Sequence, residues 1–357
     1  FIEVGSYYKN KAGNTVCGDS VMSHKMKDEG RVICVLSDGL GSGIKASVLS
    51  TMTASMTLNF TMLNEDIIAA SSSLISTLPK DAVRKIGYST FSLCDIDYFG
   101  NARVVEYESP SFCLCRGDNV REVPKRKIPV ERDDLENTFL WISEFTMEKE
   151  DRLVFFSDGV SQSGMGRPGM PFGWNGGVTD YITGAITQNA EIAAGDLARR
   201  IVLEAEKNDG MTLKDDTSCC VVYMRRPRNL LVCTGPPYYN KDDHRLATRV
   251  RDFEGRRIIC GGTTAQIISR ELGRQVEIDM SSAAGGLPPL SHMEGIDLIT
   301  EGILTLSRLE SLLAGETERD RGQPASHDRM IMRLFSDSDK ITFVVGTRIN
   351  TAHQDPN

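Results

Sequence analysis

Nowhere in its 357 residues does the chain run to about 18 uninterrupted apolar residues, so no membrane-spanning helix is expected. Histidine is scarce, and His24, His244, His292, His327 and His353 stand isolated, without metal-ligand spacing. The nine cysteines include no Cys-x-x-Cys pair, which argues against a structural zinc site. Their number is odd and most lie inside apolar runs, as reduced thiols used as small buried hydrophobes do; the compartment they imply is cytoplasmic. Basic residues are the minority, 41 Lys and Arg against 49 Asp and Glu, giving a net charge of −8. That excludes the basic footprint of a general nucleic-acid binder. A Walker-type Gly-Lys-Ser/Thr is missing, and an Asp-x-Gly-x-Gly nucleotide loop fails at Leu40. The start has no signal-peptide layout, and an opening at Phe1 reads as a chain trimmed or excised from something longer.

What remains is a globular chain with room for about two domains. Arg31 to Leu36 is a continuous apolar run and predicts a strand buried on both faces. Further strands are expected at 89–95, 102–108, 111–115, 138–145, 152–156 and 218–224, with Gly, Asn and Asp turns that suit antiparallel hairpins. After Gly43, Ile44, Val48, Met52, Met56 and Phe60 recur every four residues and predict a helix with one buried stripe. A second helix is expected after Asn64 as N-cap, with Ile67, Ile68, Leu74, Ile75 and Leu78 on one face and Pro79 as its stop. A third runs from about Glu191 to Lys207 on Ile192, Leu197, Ile201 and Val202.

The composition shifts at Arg225-Arg226-Pro227-Arg228, and a boundary is placed there: one domain over 1–226, a smaller α/β domain over 227–357. In the second, strands are expected at 230–233, 257–260 and 340–345, with helices at 264–272 and from about Glu294 to Ala314, and a mobile loop from Gly315 to Ala325. Cys260-Gly-Gly-Thr-Thr264 reads as a tight strand-to-helix turn with Thr capping.

One internal echo carries chemistry. Arg31-Val-Ile-Cys-Val-Leu-Ser-Asp38-Gly39 parallels Arg152-Leu-Val-Phe-Phe-Ser-Asp158-Gly159, each an apolar strand ending in Ser-Asp-Gly. A strand end delivers a carboxylate to a sheet rim at a fixed position, and the Gly is expected to allow a sharp turn with its carbonyl available. With Asp19 and the pair Asp215-Asp216, the set offers oxygen ligands for hard divalent cations. Two ions about 3.5–4 Å apart need several such carboxylates from separate strands.

The phrases Gly18-Asp19-Ser20, Ser37-Asp38-Gly39-Leu40-Gly41-Ser42-Gly43 followed by Ala46, Ser157-Asp158-Gly159, and Asp215-Asp216-Thr217-Ser218 resemble, in order and spacing, PPM-type metal-dependent serine/threonine protein phosphatases of the stage II sporulation protein E-like subgroup. The resemblance spans roughly residues 1 to 225. It implies an α+β fold, an αββα sandwich of two antiparallel sheets flanked by helices, beside the smaller α/β domain. It implies two Mn or Mg ions, or three, with Asp38 bridging two, Asp19 and the Gly39 carbonyl supporting one, and Asp158 and Asp215 the other. Asp38, Asp158 and Asp215 are thereby the catalytic set, and Asp216 is the alternative to Asp215.

The implied activity is hydrolysis of phosphoserine or phosphothreonine on a protein by metal-activated water, in a bacterial regulatory pathway, with no cysteine nucleophile. Partners implied are a phosphoprotein substrate and a regulatory protein acting on the helices from Ile44 to Leu78. A phosphate-holding Arg near the N-terminus has no counterpart, and Lys9 and Lys11 read as solvated surface lysines. The rivals are a catalytically silent phosphatase-like scaffold and a small-molecule phosphatase using the same metals.

Overall fold

The computed structural model describes residues 1–63, 67–77, 89–130, 138–279, 290–300, 310 and 326–348. The chain falls into two compact units, Phe1–Arg226 and Pro227–Asn357.

The first unit is built on two antiparallel sheets. One has the order β1-β11-β10-β6-β7, from β1 (Ile2–Lys9), β6 (Cys113–Arg116), β7 (Asn119–Arg121), β10 (Asp151–Phe156) and β11 (Thr217–Met224). The other has the order β2-β3-β4-β5-β9-β8, from β2 (Asp19–Met26), β3 (Arg31–Gly39), β4 (Ser89–Asp97), β5 (Asn101–Tyr107), β8 (Arg126–Pro129) and β9 (Phe139–Thr146). The apolar run of β3 is explained by its two faces. Val32, Cys34 and Leu36 meet Leu153, Phe155, Cys220 and Val222 of the opposite sheet. Ile33 and Val35 point the other way, into a core shared with helices α1 (Ile44–Met62) and α2 (Ile67–Thr77). Strands covered on both sides lose the polar alternation of a solvated sheet.

The outer face of the first sheet is covered by α4 (Gly177–Gln188) and α5 (Ala194–Asn208), α3 (Asp158–Ser161) being a single turn after β10. Leu197, Ile201 and Val202 of α5 and the preceding Ile192 are buried there, as their spacing predicts. Helix α4 lacks a counterpart in the sequence reading. The layers are thus αββα.

Helix α1 departs from expectation in its orientation. Ile44, Val48 and Met52 are 72%, 50% and 54% exposed, and the buried face is Ala46, Ser50, Thr53, Ala54, Thr57 and Thr61. Small side chains let the helix backbone descend onto β3: a Cβ on Gly39 would lie 2.2 Å from the Ala46 carbonyl oxygen. Three of the four buried hydroxyls bond backward along the helix, Ser50 Oγ to the Ser47 carbonyl at 3.1 Å, Thr57 Oγ1 to Thr53 at 2.7 Å and Thr61 Oγ1 to Thr57 at 2.8 Å, while Thr53 Oγ1 has no partner. In α2, Ile67, Leu74 and Ile75 are buried, whereas the expected Asn64 cap, Leu78 and Pro79 lie outside the described residues.

The second unit holds one mixed sheet in the order β14-β15-β16-β13-β12-β17. Its parallel core is β12 (Asn229–Thr234), β13 (Arg256–Cys260), β16 (Ile296–Thr300) and β17 (Lys340–Val345). The strands β14 (Glu277–Asp279) and β15 (Leu290–Met293) add an antiparallel edge. Helices α6 (Asp243–Arg251) and α7 (Gly262–Leu272) cover one face and α8 (Ser326–Ser336) the other. The helix expected from Glu294 is instead the turn and strand into β16. Gly295, at φ 76°, makes the turn, and Ile296, Leu298 and Ile299 are buried on alternate sides of the sheet. The rest of that expected helix, apart from Glu310, and the loop at 315–325 lie outside the described residues. No threonine caps α7: Gly261 is its N-cap, without a side-chain bond, and donates its N–H to the Thr300 carbonyl at 2.8 Å.

Candidate metal centre

The acidic motifs gather at one end of the sandwich because both sheets end there. Strands β2 and β3 pair in the register Asp19↔Asp38, so these two acids are cross-strand neighbours at the rim of one sheet. The other sheet brings Asp158 as the first residue of α3, directly after β10, and Asp215-Asp216 directly before β11. A seryl bridge ties the rims together. Ser218 on β11 donates its hydroxyl to Asp19 Oδ2 at 2.7 Å, and its N–H goes to Ser157 Oγ at 3.0 Å. The sequence offered no signal for that bridge, since neither serine is distinctive by type.

The two Ser-Asp-Gly glycines serve close packing. Neither has a positive φ. Gly39 lies under Ala46, and a Cβ on Gly159 would stand 2.1 Å from the Asp216 carbonyl oxygen. The expected sharp turn at these glycines is therefore replaced by close backbone contact, which draws α1 and the 215–216 segment onto the two aspartates.

The carboxylates act on one another. Burial pushes Asp19 up to about 7, against the lowering bonds from Ser218 and Ser157, with the Asp216 and Asp158 charges adding to the rise. Asp38 is raised well above the carboxylate range by burial and then by Asp19, Asp158 and Asp215. Asp215 is raised by burial and by Asp158, with Lys11 opposing. Like charges held this close favour whatever supplies positive charge. Two buried oxygens, Asp19 Oδ1 and Asp216 Oδ2, have no hydrogen-bond partner. The donor set is all oxygen, which suits a hard cation such as Mg or Mn. Among the described residues, however, no three His, Cys, Asp or Glu side chains close into a metal-sized cage.

The Asp215 and Asp216 side chains differ in environment. Asp216 is 3% exposed and accepts the Lys11 N–H on Oδ1 at 2.9 Å. Asp215 has a side chain 45% exposed, and Lys11 Nζ stands 3.9 Å from its Oδ1. Lys9 is committed to Glu206, while Lys11 borders the cluster, which differs from a purely solvated lysine. Gln162 donates to Asp158 Oδ2 at 3.0 Å.

Cysteine-phosphatase spacings occur at Cys115 to Arg121, Cys219 to Arg225 and Cys220 to Arg226, but the first spans the β6–β7 hairpin and the other two start from thiols buried inside β11, which burial pushes well up. Cys115 is fully buried, 3.5 Å from the Cys113 sulfur, and that contact and burial push its thiol far up. It is not a nucleophile.

Residues 28–225 match the family model for stage II sporulation protein E (SpoIIE). That is more than half of the chain, and the protein belongs to this family, a PPM-type, SpoIIE-like one. The PP2C phosphatase domain and regulatory fragment of SpoIIE from Bacillus subtilis is similar at 21% identity and a TM-score of 0.51, covering 63% of this chain and 62% of that one. The phosphatase domain of the same determinant, in a crystal form without domain swapping, gives 19%, 0.48, 63% and 93%. The RsbU and RsbW domains of Rv1364c from Mycobacterium tuberculosis give 15%, 0.49, 70% and 67%. At 21% identity the likeness to the first of these is one of fold. No curated protein matches the chain. No helix among the described residues is long and apolar enough to cross a membrane.

Proposed function

We propose that the first unit is a Mn- or Mg-dependent protein phosphatase acting on phosphoserine and phosphothreonine. The observation that carries this is the gathering of Asp19, Asp38, Asp158 and Asp215 from both sheets, close enough that Asp38 feels the charge of the other three and both Asp19 and Asp215 feel that of Asp158. In this reading Asp19, Asp38, the Gly39 carbonyl, Asp158 and Asp215 hold two divalent cations. When bound, such cations supply a water of lowered pKa and screen a phosphoryl group's charge. The chain's own part is positional. Ser218 fixes the Asp19 carboxylate, Gln162 steadies Asp158, and Lys11 holds a cation beside Asp215 that can meet an anionic ester. The cytoplasm is the compartment proposed, and a regulatory protein acting on α1 and α2 fits the exposed Ile44, Val48 and Met52.

The test is a metal screen on purified protein with an aryl phosphate and a phosphopeptide panel. Turnover is expected with Mn or Mg and should vanish on chelation; hydrolysis by rigorously metal-free protein would refute the mechanism. A second reading, a catalytically silent phosphatase-like scaffold, is favoured by the lack of a closed metal-sized cage among the described residues. Phosphopeptide binding without turnover under every metal condition is its signature.

A further inference from the structure

Two loops flank the acidic cluster, residues 162–176 after α3 and 209–216 before β11, and one buried carboxylate grips both. Asp209 is 6% exposed; its Oδ1 accepts from the Gly164 N–H at 2.8 Å and its Oδ2 from the Lys214 N–H at 3.0 Å. Lys214 Nζ in turn donates to the Met165 carbonyl at 3.1 Å, and Asn208 Nδ2 to Ser163 Oγ at 3.3 Å. Inside the longer loop, the Gly166 N–H bonds to the Met170 carbonyl at 3.1 Å. The Gly173 backbone sits so close to α3 that a Cβ would be 2.7 Å from the Ser161 carbonyl oxygen. Loops braced this densely do not expose their side chains by fraying.

They nevertheless present large apolar groups to solvent. Phe172 is 80% exposed, Met211 65% and Met165 43%. Met211 also adopts φ 65°, a left-handed conformation unfavourable for a non-glycine residue, while its N–H is held by the Glu206 carbonyl at 2.8 Å. Apolar side chains kept in water on a rigid surface, beside a charged centre, mark a contact surface. Methionines suit one that must accept varied shapes.

We propose that Met165, Phe172 and Met211 form a docking ledge for apolar side chains flanking the phosphorylated residue of the protein substrate. This rests on the phosphatase reading and adds to it the class of substrate sequence. Continuity with the cluster argues for a peptide as the occupant. Gln162 reaches Asp158 at one end of the ledge, and Lys214 precedes Asp215 at the other. An extended peptide advances about 3.3 Å per residue, so a phosphorylated side chain at the cluster carries its near neighbours to the ledge. Arg167 and Lys214, within the same loops, disfavour basic flanks.

The test uses the full chain and two variants, Phe172→Ala and the double variant Phe172→Ala/Met211→Ala, at side chains that are mostly in solvent. Turnover is measured in Mn on p-nitrophenyl phosphate and on a phosphoserine/phosphothreonine peptide library varied around the phosphorylated residue. Wild-type protein should select apolar neighbours. The variants should raise KM for the selected peptides at least ~5-fold, with kcat and aryl phosphate turnover within about twofold. A library profile without apolar preference, or unchanged KM in both variants, would overturn the ledge. If wild-type protein hydrolyses neither substrate, the phosphatase reading fails by itself, and binding of the library in Mn decides the ledge. Apolar-flanked peptides held by wild type and released by the variants sustain it; equal binding overturns it.

Discussion

Helices α1 and α5 cover opposite outer faces of the same sandwich, yet α5 buries large aliphatic side chains among its alanines and the fully buried face of α1 holds only Ala, Ser and Thr. Helix α5 turns Leu197, Ile201 and Val202 onto its sheet, with charged residues such as Arg200 outward. Helix α1 turns Ala, Ser and Thr inward and leaves Ile44, Val48 and Met52 in water. The difference lies in what each must position. Helix α5 packs for burial, and its first turn touches β1 closely, where a Cβ on Gly5 would meet the Gly195 nitrogen at 2.1 Å. Helix α1 begins just after Asp38-Gly39 and has to come down on Gly39, so its inner face is restricted to small side chains. Proximity to the candidate site overrides the apolar stripe.

The strongest way to sharpen the contrast is to truncate the apolar face of α5. Leu197→Ala, at a fully buried position, should cost about 2–5 kcal/mol in chemical denaturation, the range of large-to-small core changes. A cost below ~1 kcal/mol would mean that α5 does not carry the packing assigned to it.

The end of β3 beside α1 should show its importance in turnover rather than in stability. Asp38→Asn is expected to lose at least ~10²-fold in rate, about 2.7 kcal/mol, with metal occupancy falling in parallel and secondary structure kept. Asp118→Asn, in the exposed β6–β7 turn, should be nearly neutral. Near-native turnover and Mn affinity in Asp38→Asn would remove the central residue of the functional reading.

How much of this was legible follows the same division. Continuous apolar strands and the α5 face are local patterns, and the structure places them as read; the Ser-Asp-Gly echo falls at the two sheet rims, but without the sharp turns expected of its glycines. The face of α1 was not legible, because a period of four fits a stripe whether it faces protein or water. The sequence at Ile296 to Thr300 is short, apolar and β-branched, and only its sheet neighbours decide between strand and helix. The Asp209 grip and the Ser218–Asp19 bridge join residues 45 and 199 positions apart, which no spacing rule encodes. Among the candidate ligands, sequence order left Asp215 and Asp216 equivalent in type; burial separates them.

The cluster also predicts a pH dependence that α5 should not share. Burial and the neighbouring acids push Asp19 up to about 7 in the fold from an ordinary value of 3.8, so between these values the folded state binds more protons than the unfolded. Its contribution is complete below about pH 4 and is lost as pH rises through about 7. Chelated protein should therefore lose about 2 kcal/mol of stability between pH 5 and pH 7. Saturating Mn should flatten this slope, since bound cation replaces the protons. Melts that are flat across the window in chelator would show that the acids do not burden one another.

The smallest expected effect is the most discriminating for α1. Met52 is 54% exposed on the outward stripe, so Met52→Ser removes an apolar side chain that is largely in water already. If the stripe faces solvent, stability should change by less than about 0.5 kcal/mol, as for surface substitutions generally. The corresponding change on the inner face, Ala54→Ser, adds a hydroxyl at a fully buried position and should cost more, because any added polar group there needs a partner. Denaturant midpoints of the two variants, compared at unchanged slope, order the faces directly. If Met52→Ser proves the costlier, α1 is rotated from the orientation described and the stripe belongs to the core.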